Sequence, residues 1–305
     1  MDIAALQASP AADAAVSEIA RYGLQQNVVE LDAYGFTVIP PEKTAAAPGF
    51  VERLRDAILR THGARNDDPI DDYRTAELKA GFRNSWWLLE EDEIFVEAML
   101  NPVALAIARW MCGQSAVMTG ATWLLKGSNK APGIGGKDDQ TKPLTLHVDA
   151  LAVPPPMCQY AHFCNTSWVL SDYSTEEDGP TVYVPGSHRF GRAPFLHEQD
   201  FTREDNPYRV VPLRAREGSL VVWHGATWHG ALPRTTPGLR VTLALMWMRA
   251  YMKPIQDWRE SDPDLLDRHP ELPRLLGLEH IYPFKYEEEA GYTAALEVAG
   301  RDQFA

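Results

Sequence analysis

The sequence predicts a mainly β fold, a double-stranded jelly roll (cupin-like) with flanking helices. Three observations predict it. From Ala116 onward, short apolar runs alternate with turns rich in Gly and Pro: Val117–Leu125, Leu144–Asp149, Tyr160–Leu170, Thr181–Val184, Ser219–Trp223 and Arg240–Trp247. Such spacing reads as an antiparallel sandwich or barrel. In the last run Val241, Leu243, Leu245 and Trp247 alternate with Thr242, Ala244, Met246 and Met248, so both faces are mainly apolar and the strand belongs inside. The third observation is Leu146-His147-Val148-Asp149, where a histidine and a carboxylate two apart fall on one face of a strand.

The elements before the jelly roll read as helices with one or two strands. Residues 1–13, rich in Ala, Ser and Pro, read as a frayed end, and Val16, Ile19 and Tyr22 mark a short amphipathic helix over 14–24. Tyr34–Pro40 reads as a turn entering a strand that Pro40 and Pro41 stop. Phe50, Val51, Leu54, Ile58 and Leu59 share one helical face. Asn101-Pro102 caps and opens a third helix ending near Gly113. After the strands, Leu265, Leu272 and Leu275 suggest short helices in a tail rich in Pro and charge. The economical account is one domain over 1–305: a helical buttress at 14–115, a jelly-roll core at 116–250 and a C-terminal extension at 251–305.

The bulk numbers bound the function. A formal charge of −13 argues against nucleic acid, which needs a basic face. The three cysteines, Cys112, Cys158 and Cys164, form no paired framework, so a reduced, cytoplasmic setting is expected; Cys158 and Cys164 read as small buried hydrophobes. Neither a signal peptide nor a membrane-spanning run is read, so no membrane partner is expected. The loop from Gly127 to Pro143 contains Gly135-Gly136-Lys137 but fails as a phosphate loop: Ala131 replaces the first Gly, and Asp138 follows the Lys. A mobile loop beside the site is the expectation.

His147 and Asp149 offer a nitrogen and an oxygen to one metal ion, and His229, in Trp228-His229-Gly230, completes a two-His, one-carboxylate face that suits non-haem Fe(II). His224, five residues earlier, competes as the third ligand. Arg240 opens the final strand, where a guanidinium can grip a carboxylate through two charge-assisted bonds.

Together these segments resemble the phytanoyl-CoA dioxygenase family of Fe(II)- and 2-oxoglutarate-dependent oxygenases. His147-Val148-Asp149 resembles its H-x-D. Trp168–Asp172, Asp178-Gly179-Pro180 and Val184–Arg189 resemble the segment between ligands. Gly218–His224 leading to Trp228-His229-Gly230 resembles the last-ligand strand, and Arg240 sits where the family places the arginine for the distal carboxylate of 2-oxoglutarate. The likeness spans about residues 30–280, weakly outside the core. It favours His229 over His224. It implies Fe(II) held by His147, Asp149 and His229, 2-oxoglutarate as cosubstrate held by Arg240, O2 as oxidant, and activity supported by ascorbate. The implied reaction hydroxylates an unactivated carbon of a small-molecule metabolite, releasing succinate and CO2. The carboxylate at Asp149 favours oxygenation over halogenation, which needs a small residue there. Val148, where many relatives carry Gln, and Ala231, which has no hydroxyl, depart from the pattern.

Other polar residues have competing readings. His188 reads as a turn residue holding the fold, Arg189 as facing substrate or as a solvated loop end, and Asp172 as a cap on the turn at Ser174-Thr175. Lys126 reaches either the cosubstrate or the loop. Trp123 and Trp168 read as core, with a place in the pocket lining as the alternative. Lys126, Lys130, Lys137 and Lys142 offer charge for the phosphates of an acyl-CoA or are simply solvated. The rival functions are a non-catalytic jelly-roll binding protein and a Zn²⁺ hydrolase; the latter leaves Arg240 without a role. Oligomeric state is left open.

Overall fold

In the computed structural model, residues 10–79, 86–128 and 141–279 are described. Among the described residues nine strands form two antiparallel sheets. The larger carries β1 (Phe36–Ile39), β7 (Leu220–His224), β4 (Phe163–Val169), β9 (Arg240–Met248) and β2 (Val117–Lys126), in that spatial order. The smaller carries β3 (Leu144–His147), β8 (His229–Ala231), β5 (Thr181–Tyr183) and β6 (Val211–Pro212). Two facing antiparallel sheets with helices outside match the jelly roll that the sequence predicts.

Strand alternation sorts the side chains. On β4, Cys164 and Trp168 join the core beneath the helices, whereas Phe163 and Val169 point between the sheets. On β9, Val241, Leu243, Leu245 and Trp247 face the helices, and Met246 and Met248 face inward. Both strands are covered on both faces, so every residue of β4 and all but Met246 of β9 are buried, the polar ones included. Trp123 and Trp168 are fully buried core residues.

The helical layer comprises α1 (Pro10–Arg21), α2 (Gln25–Tyr34), α3 (Phe50–Asn66), α4 (Glu93–Met99) and α5 (Pro102–Cys112). Asn101 caps α5, its Oδ1 accepting from the N–H groups of Val103 and Ala104 at 3.0 Å each. The helix packs on β4, β7 and β9 and carries α1 on its other side. Two helices lack a sequence signature. α4 buries five of its seven residues, so no polar stripe marks it, and α2 buries only Asn27 and Leu31. Gly35 ends α2 at φ 84°, and a side chain there would run into Thr227 and His188, so only glycine fits. After β9 come the short α-helices α6 (Pro263–Arg268) and α7 (Leu272–Leu275), the latter on β2. Among the described residues no single helix is long and apolar enough to cross a membrane.

Three details differ from the sequence reading. Strand β3 stops at His147, so Asp149 lies on the bend beyond it, its N–H bonded to the Gly225 carbonyl at 2.9 Å. The turn at Ser174-Thr175 is capped by Asp178, whereas Asp172 accepts from the Glu217 N–H. Cys164 is buried beside Cys112, but Cys158 is only half-buried. Residues 1–9, Lys130, Lys137, most of the 127–143 loop and the end of the tail lie outside the described residues.

Candidate metal centre and cosubstrate pocket

Strand β3 lies antiparallel to β8 with His147 opposite His229, which brings the two imidazoles to 4.2 Å between ring centres. The bend after β3 adds Asp149, whose Oδ2 is 3.4 Å from His229 Nε2. One ligand atom from each of the three residues lies within 4.8 Å of the others.

Backbone carbonyls orient both rings. Thr145 O sits 2.9 Å from His147 Nδ1, and Thr227 O sits 3.0 Å from His229 Nδ1. A carbonyl can only accept, so each Nδ1 carries a proton, and Nε2 is the ring atom turned toward Asp149 to ligate. Burial, then the neighbouring His229, pushes the His147 imidazole down to about 4, so it stays neutral near pH 7. Two imidazole nitrogens beside a carboxylate are the donor set a divalent first-row metal takes, so the residues fit such an ion.

The carboxylate is positioned as firmly. Asp149 Oδ2 accepts from Asn165 Nδ2 at 2.7 Å and from Trp223 Nε1 at 2.8 Å. These partners project from neighbouring strands β4 and β7, at register positions facing each other across the ladder. Tyr183, on β5, stacks near His229 at 6.0 Å between ring centres.

Beyond Tyr183 lies Arg240, 6% exposed. Its Nη1 donates to the Gly179 carbonyl, while its Nε has no partner among the described residues. The Tyr183 hydroxyl is likewise buried without a partner. Lys126 is the register partner of Arg240, and its ammonium donates to the Leu232 carbonyl. Burial and the adjacent guanidinium push Lys126 down to about 7. Two basic side chains whose hydrogen bonds among the described residues go to carbonyls, with unpaired donors beside them, are suited to receiving an anionic group such as a carboxylate.

The other sequence candidates lie elsewhere. Ala226 N–H donates to His224 Nδ1 at 3.0 Å, so His224 Nε2 carries the proton and donates to Gln159 O at 3.2 Å. No lone pair remains for a metal. His188 bonds the Asp32 carbonyl through Nε2 at 3.1 Å and holds α2 against the Val184–Arg189 turn. Arg189 pairs with the exposed Asp32 at 3.0 Å. Val148 and Ala231 are buried and add no polar group. Sequence reasoning missed Asn165, Trp223 and Tyr183. A signal existed for Asn165, an amide at an inward position of a strand buried throughout.

A jelly roll that gathers two imidazoles and a carboxylate between its sheets is the framework of a mononuclear non-haem metal enzyme. The sequence profile of the family "Phytanoyl-CoA dioxygenase (PhyH)" matches residues 31–242, and the chain belongs to this family of 2-oxoglutarate-dependent non-haem iron dioxygenases. It is 26% identical over 280 residues to dioxygenase af480 of Aspergillus fumigatus, covering 87% of this chain and 83% of the relative. Among solved structures it resembles HygX from Streptomyces hygroscopicus, determined with nickel and 2-oxoglutarate bound. That likeness has a TM-score of 0.57 and 21% identity, over 79% of this chain and 93% of HygX. It also resembles SnoN, an epimerase determined with Fe3+, alpha ketoglutarate and nogalamycin RO, at a TM-score of 0.54 and 19% identity over 80% and 91% of the two chains.

Proposed function

We propose that this enzyme hydroxylates an unactivated carbon of a small-molecule metabolite, with His147, Asp149 and His229 as the Fe(II) ligands and Arg240 as the anchor for the distal carboxylate of 2-oxoglutarate. The observation that carries the reading is the carboxylate at Asp149, held by Asn165 and Trp223 beside the imidazoles of His147 and His229. Iron with 2-oxoglutarate and dioxygen supplies oxidation of a C–H bond coupled to decarboxylation of the cosubstrate to succinate and CO2.

This chain's own residues bind and orient. Thr145 and Thr227 carbonyls fix the imidazole tautomers, and Asn165 and Trp223 stop the carboxylate from rotating. Arg240 and the register-paired Lys126 place positive charge at the far end of the pocket, where a dicarboxylate needs it. Tyr183, Trp223, Met246 and Met248 wall the space between the sheets and exclude water.

The test is succinate formation from 2-oxoglutarate by anaerobically purified protein, supplied with Fe(II), ascorbate and air, beside Asp149→Ala. The expected result is slow uncoupled turnover that vanishes in the variant. Absence of both succinate and the visible band of the Fe(II)–2-oxoglutarate chelate overturns the reading. Once a substrate is found, gain of one oxygen atom supports hydroxylation, and an isomer of unchanged mass replaces it with epimerisation.

A further inference from the structure

At the β2 edge of the larger sheet, a cavity of about 610 Å³ is lined by Arg65, Trp86, Trp87, Ile255, Gln256 and Asp257. That volume suits a small organic molecule. None of these residues belongs to the triad or to the Arg240 pocket.

The cavity is built by specific irregularities of the chain. Strand β2 shifts register against β9 between Met118 and Gly120. The displaced Thr119 takes the Ile255 N–H on its Oγ1 at 2.8 Å and the Gln256 N–H on its carbonyl at 3.0 Å. Gln256 is 5% exposed, and its Oε1 accepts from the Trp87 N–H at 3.3 Å. Trp87 presents that N–H from φ 64°, a conformation bulky residues rarely adopt and one that tends to mark functional sites. The amide is thereby oriented, and its Nε2 is a buried donor with no partner among the described residues.

Trp86 connects this cavity to the metal centre. Its ring covers Gly120 so closely that a Cβ there would fall 2.5 Å from Trp86 Cζ3 and 3.3 Å from Met246 Cε. Gly120, Met246 and Asn165 are register partners on β2, β9 and β4, and Asn165 holds Asp149. Two strand spacings, about 10 Å, therefore separate the backbone under Trp86 from the residue that orients the carboxylate. The charged wall residues are already neutralised. Arg65 spends its guanidinium on Glu91 and the Trp86 carbonyl, and Asp257 is paired with Arg259.

We infer that this cavity is the subsite for the non-reacting part of the substrate, an uncharged, ring-bearing molecule that stacks on Trp86 and accepts a hydrogen bond from Gln256 Nε2 through a carbonyl or hydroxyl oxygen. Its reacting carbon extends over Met246 toward His147, Asp149 and His229. This last step rests on the metal reading proposed above; ring recognition by Trp86 and Gln256 does not.

The probe is coumarin, a neutral fused ring with a carbonyl, followed by ligand-observed NMR against the full chain, with naphthalene as the carbonyl-free control. Coumarin binds saturably to the wild type, Trp86→Ala weakens it at least about tenfold, and Trp86→Phe retains it. Gln256→Leu weakens coumarin about tenfold without weakening naphthalene. Mn(II), its binding followed separately by EPR, broadens the coumarin resonances. No saturable binding to the wild type, or binding indifferent to both Trp86→Ala and Gln256→Leu, overturns the inference. If Mn(II) binds but leaves coumarin sharp, the substrate assignment falls and the metal reading stands. If Mn(II) does not bind, the metal reading fails, and the Trp86 and Gln256 variants alone decide ring recognition.

Discussion

Asn165 Nδ2 donates to Asp149 Oδ2 at 2.7 Å, linking the middle of the larger sheet to the bend that follows β3. Trp223 Nε1 reaches the same oxygen from the adjacent strand at 2.8 Å. One oxygen of the carboxylate is thus committed to the protein, and the side chain has little freedom to rotate. Asn165→Ala leaves a carboxylate that must be ordered by the metal itself. Metal affinity is expected to fall about 10- to 100-fold, as for other partners of ligating side chains. Mn(II) titration followed by EPR measures it. Trp223→Phe keeps the ring packing near Tyr183 and removes only the N–H, so a smaller loss in the same direction is expected; unchanged affinity in both variants would show that Asp149 is not a ligand.

Arg240 is buried with an unpaired Nε, and removing its charge should be felt by the distal carboxylate alone. Arg240→Met is expected to weaken 2-oxoglutarate about 10- to 100-fold, the worth of hydrogen bonds to a charged group. Pyruvate, which keeps the chelating end and lacks the distal carboxylate, should bind wild type and variant alike. Anaerobic titration of the visible chelate band reads both. Arg240→Lys restores charge without the planar fork, so partial recovery is expected.

Lys126 is expected to give the cosubstrate affinity a pH dependence whose sign follows from its surroundings. In the free protein, burial and Arg240 hold its ammonium down to about 7, so above that pH it is largely neutral. A bound carboxylate stabilises the charged form, and binding above pH 7 therefore takes up a proton. The Kd for 2-oxoglutarate should be level below about pH 7 and rise above it, with a limit of about tenfold per pH unit. Calorimetry with Mn(II) between pH 6.5 and 8.5 measures the slope, and Lys126→Met should flatten it.

What the sequence made legible were the segments whose chemistry repeats locally. Short apolar runs bounded by Gly- and Pro-rich turns placed six of the strands, because a strand buried on both faces writes itself as a run rather than as an alternation. His147, Asp149, His229 and Arg240 were each visible as motif positions, although spacing alone could not put them in one place. Asn165, Trp223 and Tyr183 were hidden for a physical reason: each sits in a strand whose other residues are buried for packing, and only the fold shows which neighbour their polar atoms meet. The same holds for β8, three residues long, and for α4, which is buried on nearly every side. His224 was ambiguous until the Ala226 N–H and the Gln159 carbonyl were seen to take both of its nitrogens.

Gly230 offers a test of how the two histidines are held together. It lies between His229 and Ala231 on β8, directly against β3, and a Cβ built there would fall 2.3 Å from the Leu144 carbonyl oxygen. That atom is backbone, so the contact cannot be relieved by turning a side chain; β3 has to move away from β8. Moving it separates His147 from His229, whose pairing depends on that register. Gly230→Ala is therefore expected to cost about 1–3 kcal/mol of stability, the usual price of overpacking, while retaining the larger sheet and its helices. Its effect on the metal should be disproportionate, because a displacement of less than one ångström spoils convergence of the ligand atoms. Thermal unfolding with and without Mn(II) separates the two: the wild type gains Tm on adding the metal and the variant does not. A variant that keeps the full metal-induced gain would mean that β3 and β8 are not what fixes the distance between the imidazoles.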